Sequence, residues 1–348
     1  MSEKKNIMKL ITPWMIESGP EGDVVLSSRI RLARNLEGRS FPAHASVSEK
    51  NAIRDDIKKA INKKEFNFLE LEDISPLERE NMMESHLLSP QIIASPEGRG
   101  VAIAKDQRSS IMINEEDHLR IQTITPGLDL KTALIKANSI DDDLESILNL
   151  AFDEQLGYLT AWPTNIGTGL RVSAMVHLPG LTLTNNLPQL LSSVSQLGMV
   201  VRGIYGEGTE ALGNLYQISN QRSLGRTEEE FLNDLATAVT HIIGEERKIR
   251  EALKQKSQYF IEDKVFRSLG ILKEARVIST NEALALLSDV RLGIDLGLIN
   301  QDLKPIVQGL MQIIRPAHLQ KYMGNTLEPE LRDYYRALVI REELAREG

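Results

Sequence analysis

The feature that most limits what this chain can fold into is a change of pattern near residue 226. Before it, short alternating apolar runs are broken by Gly- and Pro-containing turns, interspersed with polar helix-forming stretches. After it, nearly every segment has helical character, starting at Thr227-Glu-Glu-Glu230. That sequence is a capping box, with Thr227 as N-cap and Glu230 at the third helical position. The helix it opens is expected to run to about residue 255. A second box, Ser279-Thr-Asn-Glu282, precedes another helix, and Pro305 and Pro316 punctuate later ones. The fold class is therefore α+β: a mixed domain over residues 1–255, followed by an all-helical C-terminal domain over 256–348. A chain of 348 residues is also too long for one small core.

Within the first part, residues 1–22 look like an irregular lead-in. Residues 23–33 alternate as a strand, and 46–63 suit a helix capped by Ser46 or Ser48. Short strands are expected at 101–105 and 109–113, a helix at 140–152, and strands near 157–161, 170–178 and 199–204.

The formal net charge of −8, with no block of like charge, argues against an electrostatic nucleic-acid binder. The absence of cysteine excludes disulfides, thiolate metal sites and thiol nucleophiles. Six scattered histidines offer no zinc-type pair, so no protein-bound metal is expected. The N-terminus lacks a sustained apolar stretch, and no uncharged run approaches the ~18 residues of a membrane span, which places the protein in the cytoplasm.

Four motifs carry chemistry. In Ser27-Ser28-Arg29-Ile30-Arg31, strand alternation puts Ser27, Arg29 and Arg31 on one face, with Leu26, Ile30 and Leu32 on the other. The two guanidinium forks, roughly 7 Å apart, suit phosphate oxygens; solvated arginines on an exposed face are the plainer alternative. In Asn114-Glu115-Glu116-Asp117-His118-Leu119-Arg120, three consecutive acids need cations or solvent around them. A carboxylate pair is what guanidinium chemistry requires, because a protonated guanidinium has no lone pair with which to attack; a solvated acidic turn is the plainer alternative. Asn165-Ile166-Gly167-Thr168-Gly169-Leu170-Arg171 leads into a strand bearing Arg171, Ser173, Met175 and His177 on one face, and His177 reads as structural. Arg202-Gly203-Ile204-Tyr205-Gly206-Glu207-Gly208 runs a strand into a Gly-rich turn, a phosphate loop or an ordinary hairpin. No P-loop and no protein-kinase signature set is present, so phosphate would be held by an arginine cage.

Together these motifs resemble the phosphagen (guanidino) kinase family, in particular its bacterial protein-arginine kinase branch, of McsB type. The resemblance rests on GPEGDVVLSSRIRLARN (19–35), INEEDHLRIQ (113–122), PTNIGTGLR (163–171) and VRGIYGEGTE (201–210), in the family's order. It implies an antiparallel sheet flanked by helices and transfer of the γ-phosphoryl group of ATP, with Mg2+ held mainly by phosphates and water. It implies an ATP site formed by Ser27, Ser28, Arg29, Ile30, Arg31, His86, Arg120, Arg171, Val172, Ser173, Ala174 and Met175. The turn Arg202, Gly203, Ile204, Tyr205, Gly206 and Glu207 would complete that site. Glu116 would bind and activate the guanidinium, with Glu115 beside it. Only 26 residues precede Ser27, too few for the N-terminal domain that encloses small guanidino substrates in the family, so the implied acceptor is an arginine on a protein.

Arg332-Asp333-Tyr334-Tyr335-Arg336-Ala337 is similar to the branch's phosphoarginine-binding motif. Arg332 and Arg336, four apart on a helix, would share a face and Asp333 would lie beside them; a surface pair is the plainer alternative. Implied partners are a zinc-containing activator protein, a Clp ATPase/protease that consumes marked proteins, and a second copy of the chain. One position departs from the family. Where a cysteine usually precedes Pro-[Ser/Thr]-Asn, this chain has Trp162, whose indole cannot replace a thiolate and adds bulk at the acceptor pocket, although its face offers a cation–π contact. With the phosphoarginine motif retained, a catalytically weak phosphoarginine-binding adaptor is the second functional class to weigh.

Overall fold

A computed structural model describes residues 7–205 and 211–346. The strands are β1 (Val25–Arg34), β2 (Phe66–Glu70), β3 (Gly100–Ala104), β4 (Ser109–Ile113), β5 (Leu119–Pro126), the two-residue pair β6 (Phe152–Asp153) and β7 (Gly157–Tyr158), β8 (Leu170–His177), β9 (Met199–Tyr205) and β10 (Ala211–Asn220). Eight of them form one sheet, ordered β2-β3-β4-β5-β1-β8-β10-β9, with every neighbour antiparallel.

The helices that matter here are α1 (Pro13–Ile16), α2 (Val47–Ala60), α3 (Pro76–Glu84), α4 (Pro90–Ala94), α5 (Leu130–Glu145), α6 (Pro179–Leu183), α7 (Leu187–Gln196) and α8 (Glu228–Lys256), followed by α9 (Gln258–Glu274), α10 (Thr280–Asp295), α11 (Lys304–Ile313), α12 (Pro316–Met323) and α13 (Pro329–Leu344). Two capping boxes have both reciprocal bonds, Ser46 with Glu49 at α2 and Thr227 with Glu230 at α8. Ser279 caps α10 by accepting the Glu282 N–H. None of the described helices is long and apolar enough to cross a membrane.

Period-two alternation divides the sheet. One face sends Ile30, Leu32, Ala102, Ile111, Ile121, Val172, Ala174 and Ile218 into the main core, closed by α2, α5 and α8. On the other face, Val101, Ile103 and Met112 pack with Leu87, Leu88 and Ile92 around α3 and α4. Across the same face, Leu26, Ile124, Met175 and Leu215 meet Trp14 and the helices α9 to α13. The middle stretch of that face bears polar and cationic side chains and lines a cleft.

Several elements differ from expectation. Leu26 does not share a face with Ile30 and Leu32, because the β1–β8 register shifts between Val25 and Ser27, and this irregularity turns Leu26 over to Trp14 and Met175. The lead-in is not irregular throughout. Ile7–Lys9 is a 3-10 turn, α1 follows it, and Ile7, Ile11 and Trp14 are buried against the C-terminal helices. The helix expected at 140–152 begins earlier, at Leu130, where the Asp129 carboxylate caps the Thr132 N–H. The strand near 157–161 is only β7, while β2, β5 and β10 were not anticipated.

Candidate functional site

Strand registry brings the arginines together. Arg31 on the central strand pairs with Arg171 of β8 on one side and Gln122 of β5 on the other. Arg29 pairs with Ser173, and Arg202 of β9 with Gln217 of β10. With Arg120, these side chains line an open cleft of about 590 Å³, whose opposite wall comes from Met83, His86, Leu88 and Ser89. Three further cleft residues, Gln217, Ser89 and Arg315, belong to no motif that the sequence signalled, and Gln122 closes the stretch 113–122 without having been given a role.

The charges in this cleft do not balance each other. Burial drives the Arg31 basicity down, and the nearby positive charges of Arg29, Arg120 and Arg171 drive it further. Arg171 is lowered by burial, then by Arg202 and Arg120. The Nε atoms of Arg31 and Arg171 are buried without a hydrogen-bond partner. Orphaned guanidinium donors beside like charges are unfavourable on their own, and a polyphosphate satisfies both defects at once. The residues present therefore fit the triphosphate of a nucleotide. Two neighbours hold the forks in place: Arg29 Nη2 donates to Gln217 Oε1 (2.5 Å) and Arg171 Nη2 to Ser219 Oγ (3.2 Å).

The three acids of the β4–β5 turn have separate fates. The turn closes through Asn114, which adopts a left-handed φ of 59° and donates its N–H to the His118 carbonyl at 3.0 Å. Glu115 is buried, receives Arg120 Nη1 at 2.5 Å and accepts the Ser89 hydroxyl. Burial alone would raise its carboxyl, but Arg120 and Ser89 hold it below the usual range. Glu116 instead lines the cleft and a smaller adjoining recess shared with Arg31, Asn165 and Gly169. Asp117 turns inward to accept Asn35 Nδ2 and the Ala161 N–H, each at 2.7 Å, and burial raises its carboxyl. The sequence grouped Glu115 with Glu116 as a pair; the fold presents Glu116 to the cleft and uses Glu115 to fix Arg120.

Of the remaining expected ATP residues, Ser27, Ser173 and Met175 do not line the cleft itself but a small recess that shares Arg29, His86 and Gln217 with it. His86 adopts φ 60°, and its carbonyl accepts Gln122 Nε2 at 2.6 Å. Burial, then the charges of Arg315 and Arg29, push its ring well below the ordinary value, so it is neutral at pH 7. Ser28, Ile30, Val172 and Ala174 point away from the cleft. Alternation sends them to the core face, where the Ser28 hydroxyl donates to the Gly127 carbonyl at 2.8 Å. Their side chains cannot touch a ligand in the cleft, which leaves only their backbone for contact. Gly203 lines the cleft, and Ile204 and Tyr205 continue β9. Gly206 and Glu207 lie outside the described residues.

The loop before β8 is anchored by Arg34. Its guanidinium is 2.6 Å from Asp141, donates to the Thr168 carbonyl and lies 3.5 Å from the Tyr158 ring centroid. Gly169 must be glycine: φ is 65°, and a Cβ would come within 2.5 Å of Arg34 Nη1 and 2.6 Å of the Ala33 carbonyl oxygen. Trp162 does not plug the cleft; the residue is 56% exposed and lines neither the cleft nor the recess. His177 is buried and bonded through Nε2 to the Ser288 hydroxyl at 2.8 Å, a strut between β8 and α10.

In α13, Arg336 is buried. Its Nε donates to the Ile314 carbonyl and its Nη1 to the Ile278 carbonyl, both at 2.8 Å, and it pairs with Asp333. Arg332 is partly exposed on the same helix. With Nε and Nη1 so engaged, Arg336 has Nη2 left for a phosphate that it would share with Arg332.

Comparison with known proteins agrees with this geometry. Residues 49–249 match the ATP:guanido phosphotransferase C-terminal catalytic domain, and residues 258–348 match the protein-arginine kinase McsB C-terminal domain. A protein-arginine kinase of Bacillus velezensis is 47% identical, covering 99% of this chain and 96% of the relative. One from Halalkalibacterium halodurans is 46% identical, covering 99% and 98%. Among solved structures, a lombricine kinase superposes with a TM-score of 0.58 at 26% identity, covering 72% of this chain and 71% of that one. A duplicated taurocyamine kinase from Schistosoma mansoni, at 24% identity, shares the fold with a TM-score of 0.60 over 81% of this chain and 41% of that one. The sheet, the arginine-lined cleft and these matches lead to one conclusion: this chain belongs to the ATP:guanido phosphotransferase family, in its protein-arginine kinase branch.

Proposed function

We propose that this protein transfers the γ-phosphoryl group of Mg-ATP to arginine side chains of other proteins. The observation that carries the reading is the cleft in which Arg29, Arg31, Arg120, Arg171 and Arg202 converge while Glu116 faces the same space. The arginines hold the phosphate chain and neutralise charge as it moves to the leaving group. Magnesium, when bound, adds its own charge to that neutralisation, held by phosphate oxygens and water as a hard, strongly hydrated ion prefers. A guanidinium nitrogen of the acceptor forms the N–P bond, the bond from the γ-phosphorus to the β-phosphate oxygen breaks, and ADP leaves. The proton lost by the acceptor passes to the Glu116 carboxylate. The relatives named protein-arginine kinase support the acceptor class.

The proposal extends to context. The catalytic unit spans residues 1–255 and the helical unit 256–348, the latter reading phosphoarginine through Arg332, Asp333 and Arg336 and pairing two copies of the chain. The mark directs proteins to a Clp-type protease in the cytoplasm as part of stress-related quality control, with a zinc-containing activator assisting. Mass spectrometry under conditions that preserve acid-labile phosphate tests the core claim. A model protein incubated with enzyme and Mg-ATP should acquire phosphoarginine, and Glu116→Ala should abolish it. No phosphoarginine with wild-type enzyme, while phosphoarginine itself still binds, would leave the adaptor function in its place.

A further inference from the structure

The nucleotide cleft is built mainly from the sheet, yet one of its cations comes from the far end of the chain. Arg315 sits between α11 and α12 and lines the same cleft of about 590 Å³ as Arg29, Arg31, Arg120, Arg171 and Arg202. We infer that Arg315 is a nucleotide-binding residue, delivered by the C-terminal helices to contact the phosphate chain of bound Mg-ATP. This rests on the reading of the cleft as an ATP site.

The placement of Arg315 is over-determined. Pro316 follows it and restricts it to extended backbone, and its φ of −70° and ψ of 151° comply. The preceding carbonyl, that of Ile314, accepts Arg336 Nε at 2.8 Å from a buried guanidinium. On the other side, the buried Glu84 carboxylate accepts the Ala317 N–H at 3.0 Å and the His318 N–H at 2.9 Å. Arg315 itself donates Nη1 to the Glu84 carbonyl at 3.2 Å, which steers the guanidinium toward the α3 wall of the cleft. Such fixation removes most of the rotational freedom that an exposed arginine would lose on binding, which favours tight contact with an anion.

The electrostatics point the same way. Arg315 and Arg29 both depress the basicity of His86, so both charges act on that ring, one from the start of α12 and one from the sheet. Adding a cation to a cleft whose arginines already repel one another destabilises the empty site, and a polyanion reverses the sign of that contribution. Glu116 faces the cleft as well, but at the recess shared with Arg31 and Gly169, a recess that Arg315 does not line. The ligand class is therefore the phosphate chain of a nucleoside di- or triphosphate.

Calorimetric titration of the full-length protein with Mg-ATP, Mg-ADP and adenosine tests the inference. Arg315→Gln should weaken Mg-ATP binding about ten- to a hundredfold, the usual effect of one charged hydrogen-bonded contact. Arg315→Lys should recover part of the loss, and adenosine binding should be unchanged in both. In steady state the KM for ATP should rise more than kcat falls. If Arg315→Gln binds Mg-ATP as the wild type does, or loses adenosine and ATP equally, the inference is overturned, since Arg315 would then act only through the shape of the wall. Wild-type protein that binds no Mg-ATP would overturn the nucleotide site as a whole, an outcome distinct from failure at Arg315 alone.

Discussion

Replacing Glu116 by Gln removes the carboxylate that faces the cleft while keeping its size. Turnover should fall about 10²- to 10⁴-fold with Mg-ATP affinity little changed. Glu115→Gln should do the reverse, raising the KM for ATP, because Arg120 loses the buried carboxylate that aims it. Steady-state kinetics on the two variants separate these outcomes, and equal losses of kcat from both would contradict the division of roles. At this scale the sequence was informative wherever alternation applied: Arg29, Arg31, Arg171 and Ser173 share a face as period two requires. It was silent where geometry comes from remote contacts. Nothing around Ile314-Arg315-Pro316 marks a cleft residue, since the segment is aimed by Arg336 and by Glu84, which lies 231 residues from Arg315 in the chain. The residues 115–117 look alike as text and differ only in what the fold puts around each.

At the scale of elements, local signals succeeded where the chain solves its own end problem. Thr227 was legible because a capping box is made within four residues, and the structure chooses Ser46 over Ser48 by closing the same kind of box with Glu49. Thr227→Ala should cost about 1 kcal/mol, measurable by denaturant titration, and an unchanged midpoint would show that α8 does not depend on its cap. The strand β10 was missed for a concrete reason. Gly213 and Asn214 both adopt positive φ, and the β9–β10 register shifts between Ala211 and Tyr216, so the sequence there reads as a turn. The loop before β8 gives a sharper test. Gly169→Ala forces a Cβ into Arg34 and Ala33, and should lower both Tm and activity, the latter by displacing the start of the strand that bears Arg171. Normal Tm with normal activity would show that the loop tolerates the strain.

At the scale of the molecule, a buried polar network joins α3 to the C-terminal helices. Gln312 Oε1 accepts the backbone N–H and hydroxyl of Thr12, which turns its Nε2 toward His318 Nε2 at 2.9 Å. Facing that amide, Nε2 is the accepting nitrogen of the tautomer in which Nδ1–H donates to Glu84 at 2.8 Å, the neutral form that the lowered basicity favours. Burial lowers its basicity, as do Arg315 and Lys321, and together they outweigh the pull of Glu84. A histidine held neutral contributes its full stability above the ordinary value of 6.5 and loses it as pH falls below that value. Glu84 has the same sign: burial alone would raise its carboxyl, but His318 and Arg315 hold it below 4.5, so its contribution is lost in stronger acid. Tm should drop between pH 7.5 and 5.5 by several degrees more in the wild type than in His318→Gln, and parallel pH profiles would contradict this.

The burial of Trp14 among α9 to α13 has a consequence for how the chain is made. Synthesis delivers Ile11 and Trp14 well before the helices α9 to α13 that close over them. Until those helices emerge, the indole has the sheet side chains Leu26, Ile124 and Met175 and the His86 ring to lean on, and its burial is completed when the two distant stretches meet. In a Trp162→Phe background, a chain stopped after residue 255 should fluoresce to the red of the chain that continues through α13, which should shift to the blue as that contact forms.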